Sequence, residues 1–428
     1  MKIVGLITEY NPFHNGHLYH IRESLRITGA DAALVVMSGD YVQRGTPAIM
    51  PKRLRTEMAL YCGAGAVLEL PVCYATGSAE FFALGAISLL DSLGIVDSVC
   101  FGSECSDLPL LQKIAGLLVD EPEQYREILR HELKLGKSFP AARQTAVVFC
   151  TGDPRCADIL KDPNNILGIE YLKALKKCGS SIRPYTIRRK GAGYHSSQLD
   201  ELYSSASAIR SLLAYSSSSI HTEFTGDDST ELSFSDILNE LGNQVPKKCL
   251  ELLSDFHKIQ YPVYQNDFSL ILKYKLLNKH PESLVRYMDV SPELAARICT
   301  SLNDFFNYKQ FAGLLKTKEL TQTRINRALL HIMLGIKKDS VSEYMNSGYN
   351  FYARLLGFRK DCSQILTEIS KKSSLPLLTK LAESQELCEL GQRMLRDDIL
   401  ASNLYTSVVT DKFKTAFLNE YKQRIIKI

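Results

Sequence analysis

Along the first third of the chain, short apolar runs alternate with longer segments in which apolar residues recur every three or four positions. The runs at 2–8, 32–38, 66–70 and 96–101 are rich in Val, Ile and Leu and are bounded by glycine or proline. Apolar runs with few polar interruptions are what strands buried on both faces require. Between them, 16–28, 51–62 and 78–93 read as crossover helices, the second with Pro51 at its start and Gly63 after its end. This alternation predicts an α/β class, a doubly wound parallel sheet with helices on both faces.

Further on, 121–150 reads as helical, and Asp162-Pro163-Asn164-Asn165 opens a helix over 166–177 with an Asx cap candidate. A strand over 181–189 runs into the polar segment Lys190-Gly191-Ala192-Gly193-Tyr194-His195. A short helix over 205–215 then meets the serines at 216–219 and a polar stretch reaching Asp236. From 237 the apolar spacing becomes helical and β-branched runs disappear. The expected organisation is a first domain over 1–220, a polar linker over 221–236 and an all-helical domain over 237–428.

For 428 residues, two or three domains are expected, and 45% hydrophobic with 23% charged residues fits neither a membrane protein nor a disordered one. No run of 18 apolar residues occurs, and strand-like sequence from Lys2 leaves no room for a leader, so a cytoplasmic protein is expected. Eleven scattered cysteines without paired CxxC spacing read as reduced thiols and suggest no structural zinc. The net charge is only +4, yet 301–360 holds ten Lys/Arg against four Asp/Glu. That local excess suits a polyanionic partner.

The chemically informative stretch is Thr8-Glu9-Tyr10-Asn11-Pro12-Phe13-His14-Asn15-Gly16-His17, which joins the first strand to the first helix. In an open parallel sheet, ligands bind beyond the strand carboxyl ends, where the next helix points unpaired N–H groups and its positive dipole end. Gly16 lets a phosphate come near the backbone, and His14 and His17 can donate to its oxygens where charge builds up during attack at phosphorus. Such chemistry usually enlists a divalent cation, Mg2+ with ATP. Taken alone, two histidines three apart also fit a helix cap, or a zinc site that lacks nearby acidic or Cys partners.

The longer string resembles a known family. Glu9-Tyr10-Asn11-Pro12-Phe13-His14-Asn15-Gly16-His17 is similar to the His-x-Gly-His signature of nucleotidyltransferases and, closer still, to the bacterial tRNA(Met) cytidine acetate ligases. Ser38-Gly39-Asp40-Tyr41-Val42-Gln43-Arg44-Gly45, Glu69-Leu70-Pro71, Phe101-Gly102-Ser103-Glu104, Asn164-Asn165-Ile166-Leu167-Gly168, Gly191-Ala192-Gly193-Tyr194-His195 and Thr323-Arg324-Ile325-Asn326-Arg327 agree in order and spacing.

The resemblance implies a nucleotidyltransferase-like, Rossmann-like domain that activates acetate with ATP to acetyl-adenylate. A helical domain would bind elongator tRNA(Met), whose wobble cytidine receives the acetyl group on its N4 amine. Carried over, Ile7, Thr8, Glu9, Tyr10, Asn11, Pro12, Phe13, His14, Asn15, Gly16, His17, Leu18, Tyr19 and His20 form the ATP cradle, with His14 and His17 catalytic. Gly102 would lie against adenosine, and Asn165 and one of Arg188 and Arg189 would contact ATP. On the residues alone, Gly102 also fits a tight turn, Asn165 a helix cap and the arginines a solvated strand end. Ser205, Ser207 and Arg210 resemble an element that holds terminal phosphates and equally fit a helix cap. Asp40, Gln43 and Arg44 could face acetate or cytidine, or sit on a surface loop. Lys52 and Arg53 depart from the family's pattern.

The basic region holds Lys309, Arg324, Arg327, Arg354 and other cations interleaved with Tyr308, Tyr344, Tyr349, Phe351 and Tyr352. The resemblance assigns Arg324 and Arg327 to tRNA, with aromatics available to stack on splayed bases. Two rivals stand beside this reading: a nucleotidyltransferase adenylating a small phosphorylated metabolite, and an RNA-binding factor with a non-catalytic nucleotide pocket.

Overall fold

A computed structural model describes residues 1–189, 205–214 and 233–428. The chain opens with β1 (Ile3–Thr8), α1 (Asn15–Thr28) and β2 (Ala32–Ser38), then forms a small hairpin of β3 (Tyr41–Val42) and β4 (Thr46–Pro47). It continues through α2 (Lys52–Tyr61), β5 (Ala66–Leu70), α3 (Ala79–Ser92), β6 (Ser98–Ser103), α4 (Pro163–Cys178) and β7 (Arg183–Arg188). Strands β5-β2-β1-β6-β7 lie side by side, all parallel. The order reverses direction at β1 and β6, and a crevice opens beyond their carboxyl ends.

The apolar runs explain the layering. Ala32, Leu34 and Val36 enter one core while Ala33, Val35 and Met37 enter the other, so β2 is buried on both faces. The expected helix over 121–150 is divided into Glu123–Lys134 and Phe139–Thr151, with Gly136 at φ 80° between them. Glycine there takes the left-handed conformation that ends a helix. After α5 (Ala206–Ala214) and α6 (Gln322–Leu334) comes the long α7 (Glu389–Phe413), its Tyr405 hydroxyl donating to the Ala48 carbonyl at 2.8 Å.

The second half is helix-rich, as expected, but it is not free of strands. β8 (Ala353–Phe358) pairs antiparallel with β5, and β9 (Leu377–Leu378) and β10 (Ile426–Lys427) pair parallel with β8, so the carboxy-terminal segment extends the first sheet. The strand escaped notice because its run contains Arg354 and Gly357. Arg354 is tolerated in the interior by long-range partners: its guanidinium lies 3.0 Å from Glu69 of β5 and also binds Glu420. Lys52, at the start of α2, completes the buried cluster at 2.7 Å from Glu69 and 2.9 Å from Glu420. Buried charges of this kind persist only when fully matched.

The segments at 191–195 and 216–219 and most of the expected linker lie outside the described residues. Among the described residues no helix is long and apolar enough to cross a membrane. The eleven cysteines are free thiols.

Candidate active site

The junction after β1 is built around two imidazoles. Tyr10 takes a φ of 48° and buries its ring, turning the chain so that His14 caps α1. His14 Nδ1 accepts the Gly16 N–H at 3.0 Å, and His17 Nδ1 accepts the His14 N–H at 3.3 Å. The two rings lie 3.8 Å apart, 31° from coplanar. An imidazole that accepts at Nδ1 while neutral carries its proton on Nε2. Gly16 is required for this arrangement, since a Cβ there would sit 2.8 Å from the His14 Cε1.

Burial, reinforced by Arg189 and Arg210, pulls His14 down to about 3. Burial likewise holds His17 well below its ordinary value, with the His14 ring adding to the effect. His20 falls to about 4 through burial, partly opposed by its hydrogen bond at 3.1 Å to the Cys100 carbonyl. All three rings are therefore neutral near neutral pH. The expected display of free backbone N–H groups at the helix end is replaced by Nε2–H donors, because the Asn15 N–H is already given to the Gln244 carbonyl at 2.9 Å.

A cavity of about 240 Å³ opens over this junction. Its floor is Ile7, Thr8, Glu9, Tyr10, Asn11, His14, Gly16, His17, Tyr19 and His20. One wall is Phe101, Gly102, Ile187 and Arg189 with Asn164, Leu167 and Tyr171 of α4; the opposite wall is Val42, Gln43, Arg44 and Thr46 of the hairpin, with Phe82. Ser205, Ser207 and Arg210 close a third side. Arg210 donates to the Asn11 carbonyl at 2.6 Å and to Ser207 Oγ at 3.0 Å, and Ser205 Oγ accepts the Ala208 N–H at 3.1 Å as a cap. Three guanidinium groups against one carboxylate, Glu9, give the described cavity a positive potential suited to a polyphosphate.

Not every candidate faces this space. Pro12, Phe13, Asn15 and Leu18 lie off the cavity, Phe13 packing its ring 4.8 Å from Tyr10 and 5.5 Å from His17. Of the two arginines, Arg189 lines the cavity and donates to Asn164 Oδ1 at 3.2 Å, while Arg188 is an exposed residue of β7. Asn165 is buried. Its Oδ1 accepts the N–H groups of Glu104 at 2.9 Å and Cys105 at 3.1 Å, and its own N–H reaches the Glu104 carboxylate at 2.9 Å. It fixes the loop after β6, and its neighbour Asn164 takes the cavity position. Asp40 is also buried, accepting the Lys52 N–H at 2.7 Å, whereas Gln43 and Arg44 face the cavity. The sequence reading missed Asn164, Phe82 and Tyr171. Asn164, Leu167 and Tyr171 share one face of α4 by their spacing, a signal that was available.

The hairpin also leans on α6. Gly45 has φ 73°, and a Cβ there would lie 2.3 Å from the Arg327 backbone nitrogen. Arg324 is exposed on α6, while Arg327 clamps Asp289 at 2.8 and 3.3 Å. Tyr308, Tyr344 and Tyr352 are buried, which overturns their reading as stacking platforms; Tyr274 and Phe306, 70% and 73% exposed, reach solvent on this half, as do Phe417 and Tyr421. Burial follows because these tyrosines fill the core beneath α6 and α7.

Among the described residues no three His, Cys, Asp or Glu gather as metal ligands, and the cavity holds one carboxylate. The donor set does not build a resident magnesium site; an ion arriving with a nucleotide would be held mainly by phosphates and water.

Comparison with known proteins agrees with this geometry. A family model described as HIGH Nucleotidyl Transferase matches residues 1–420. The chain is 43% identical over 407 residues to the tRNA(Met) cytidine acetate ligase of Caldanaerobacter subterraneus subsp. tengcongensis, covering 95% of each. It is 40% identical over 429 residues to that of Acetivibrio thermocellus, covering 100% of each. The crystal structure of Thermotoga maritima TmcAL matches 100% of both chains at 31% identity, with a TM-score of 0.89 in the apo form and 0.87 in the form bound with alpha-thio ATP.

Proposed function

The chain belongs to the tRNA(Met) cytidine acetate ligases of the HIGH nucleotidyl transferase family, and from that membership we propose how its site works. The enzyme activates acetate with ATP to acetyl-adenylate and passes the acetyl group to the N4 amine of the wobble cytidine in elongator tRNA(Met), forming N4-acetylcytidine. The reading is supported above all by the neutral imidazole pair at the end of β1, each Nδ1 occupied by a backbone N–H.

In this account ATP lies over the β1–β6 crevice, with adenosine toward Gly102, Asn164 and Arg189. His14 and His17 donate their Nε2–H groups to α-phosphate oxygens as acetate attacks the phosphorus and pyrophosphate departs. These donors are preorganised by their caps, so little reorganisation accompanies the developing charge. Arg210 and Ser207 hold the terminal phosphates. Gln43 and Arg44 face acetate, whose carboxylate suits a guanidinium fork. Asn165 and Asp40 act indirectly, by fixing the loop after β6 and the start of α2.

The ATP half of the work sits within 1–220, and the tRNA half on the helices of 237–428. Arg324 contacts the tRNA backbone, while the Arg327 side chain ties α6 to Asp289 and its backbone lies against Gly45 of the hairpin. The wobble base leaves its stack to reach the cavity from the hairpin side. The expected compartment is the cytoplasm, where its tRNA is found.

The test is direct. Unmodified elongator tRNA(Met), ATP and isotopically labelled acetate are incubated with the enzyme, and the tRNA is digested for nucleoside mass spectrometry. Label is expected in N4-acetylcytidine at the wobble position alone. Product formed from acetyl-coenzyme A but not from acetate and ATP would contradict the proposal.

A further inference from the structure

We propose that Glu9 is the general base that takes the N4 proton as the acetyl group passes to cytidine, an inference that rests on the ligase reading above. The exocyclic amine of cytidine is conjugated with its ring and weakly nucleophilic, so its attack on a carbonyl needs a positioned proton acceptor.

The described cavity offers few. His14 and His17 spend Nδ1 on backbone N–H groups and present only Nε2–H, which donates. His20 directs its Nε2 at the Cys100 carbonyl. Burial pushes the Tyr171 phenol upward, keeping it protonated. The arginines are cations, and the asparagine and glutamine amides are not bases. Glu9 carries the one carboxylate that lines the described cavity.

Its place fits the acceptor side. Glu9 Oε1 accepts the Gln43 N–H at 2.9 Å, which turns the carboxylate toward the hairpin, opposite the wall formed by Gly102, Asn164 and Arg189. Among the described residues no hydrogen bond is made to Oε2. The hairpin that Glu9 holds is the one whose Gly45 presses on α6. The carboxylate thus stands where the ATP cradle meets the surface assigned to tRNA.

The step balances without a further reactant. Cytidine N4 attacks the acetyl carbonyl of acetyl-adenylate, and a C–N bond forms as the acyl C–O bond to AMP breaks. The N4 proton moves to Glu9 Oε2, AMP leaves as its phosphate monoester, and the Glu9 proton is later released to solvent.

Glu9→Gln tests this, because the amide oxygen keeps the acceptor for the Gln43 N–H and loses the proton-accepting carboxylate. Acetate-dependent pyrophosphate exchange reads the first step. Single-turnover acetyl transfer, started by adding tRNA to enzyme preloaded with ATP, acetate and pyrophosphatase, reads the second. Transfer is expected to fall by roughly 10²-fold or more beyond any loss in exchange, on the scale of a lost general base, with Glu9→Asp recovering part of it. Equal losses in both steps would overturn the assignment by placing Glu9 in adenylation, and undiminished transfer would place the base elsewhere. Wild-type enzyme without acetate-dependent exchange would instead defeat the ligase reading itself, so the two failures are distinguishable.

Discussion

Acidification should destabilise this protein through the same imidazoles that line its cavity. His14 is held at about 3 when folded, and an unfolded histidine titrates near 6.5. Because the folded value is the lower one, the unfolded chain binds the proton first. Stability from this group is complete above about 6.5 and is lost as pH falls from there toward about 3, at about 1.4 kcal/mol per pH unit. Going from pH 7 to 5, His14 alone should remove about 2 kcal/mol. His17 and His20 act in the same direction but keep partial exposure to the cavity, where water lessens their share. His331, buried between the Met288 carbonyl and Thr76, is also lowered by burial and adds to the trend. Urea unfolding at several pH values should show the loss, and His14→Asn, which keeps a good cap residue without a titrating ring, should lose about 2 kcal/mol less over the same range. Equal losses in wild type and His14→Asn would refute the claim that this ring is held neutral by the fold.

Three further outcomes follow from particular contacts. Gly16→Ala puts a Cβ against the His14 ring and should cost about 1 kcal/mol of stability through the lost cap, with pyrophosphate exchange slowed roughly tenfold or more; unchanged exchange would mean the ring pair tolerates displacement. Lys52→Met leaves Arg354 as the one cation shared by Glu69 and Glu420 and should destabilise the fold by about 3–5 kcal/mol in urea titration, whereas a near-neutral result would show that Arg354 suffices. Arg324→Ala should weaken tRNA binding and lower the slope of log affinity against log salt by about 1, while a slope that does not change would return Arg324 to an ordinary solvated position.

Strands buried on both faces announce themselves, because both sets of alternating side chains must be apolar; β1, β2 and β5 were legible for that reason. β8 was not. Its Arg354 is matched by Glu69 and Glu420, partners far away in sequence, and no local pattern encodes such a match. The same limit explains the tyrosines at 308, 344 and 352, whose interleaving with cations suggested a surface until packing placed them in the core. At the site, the motif gave the imidazoles and their place after β1, since a short-range cap can be read from spacing. Asn164 and Asn165 show where reading stopped: adjacent residues on a helix point about 100° apart, so which one meets the cavity depends on how α4 is rotated against β6. The choice between Arg188 and Arg189 was hidden in the same way, as successive residues leaving a strand face opposite sides.

The most direct test of the central claim is exchange of labelled pyrophosphate into ATP with no tRNA present, measured with and without acetate, in wild type and in His14→Ala and His17→Ala. Exchange should require acetate and should fall by roughly 10²-fold or more in each variant while the fold persists. Exchange indifferent to acetate, or undiminished in well-folded variants, would contradict the account.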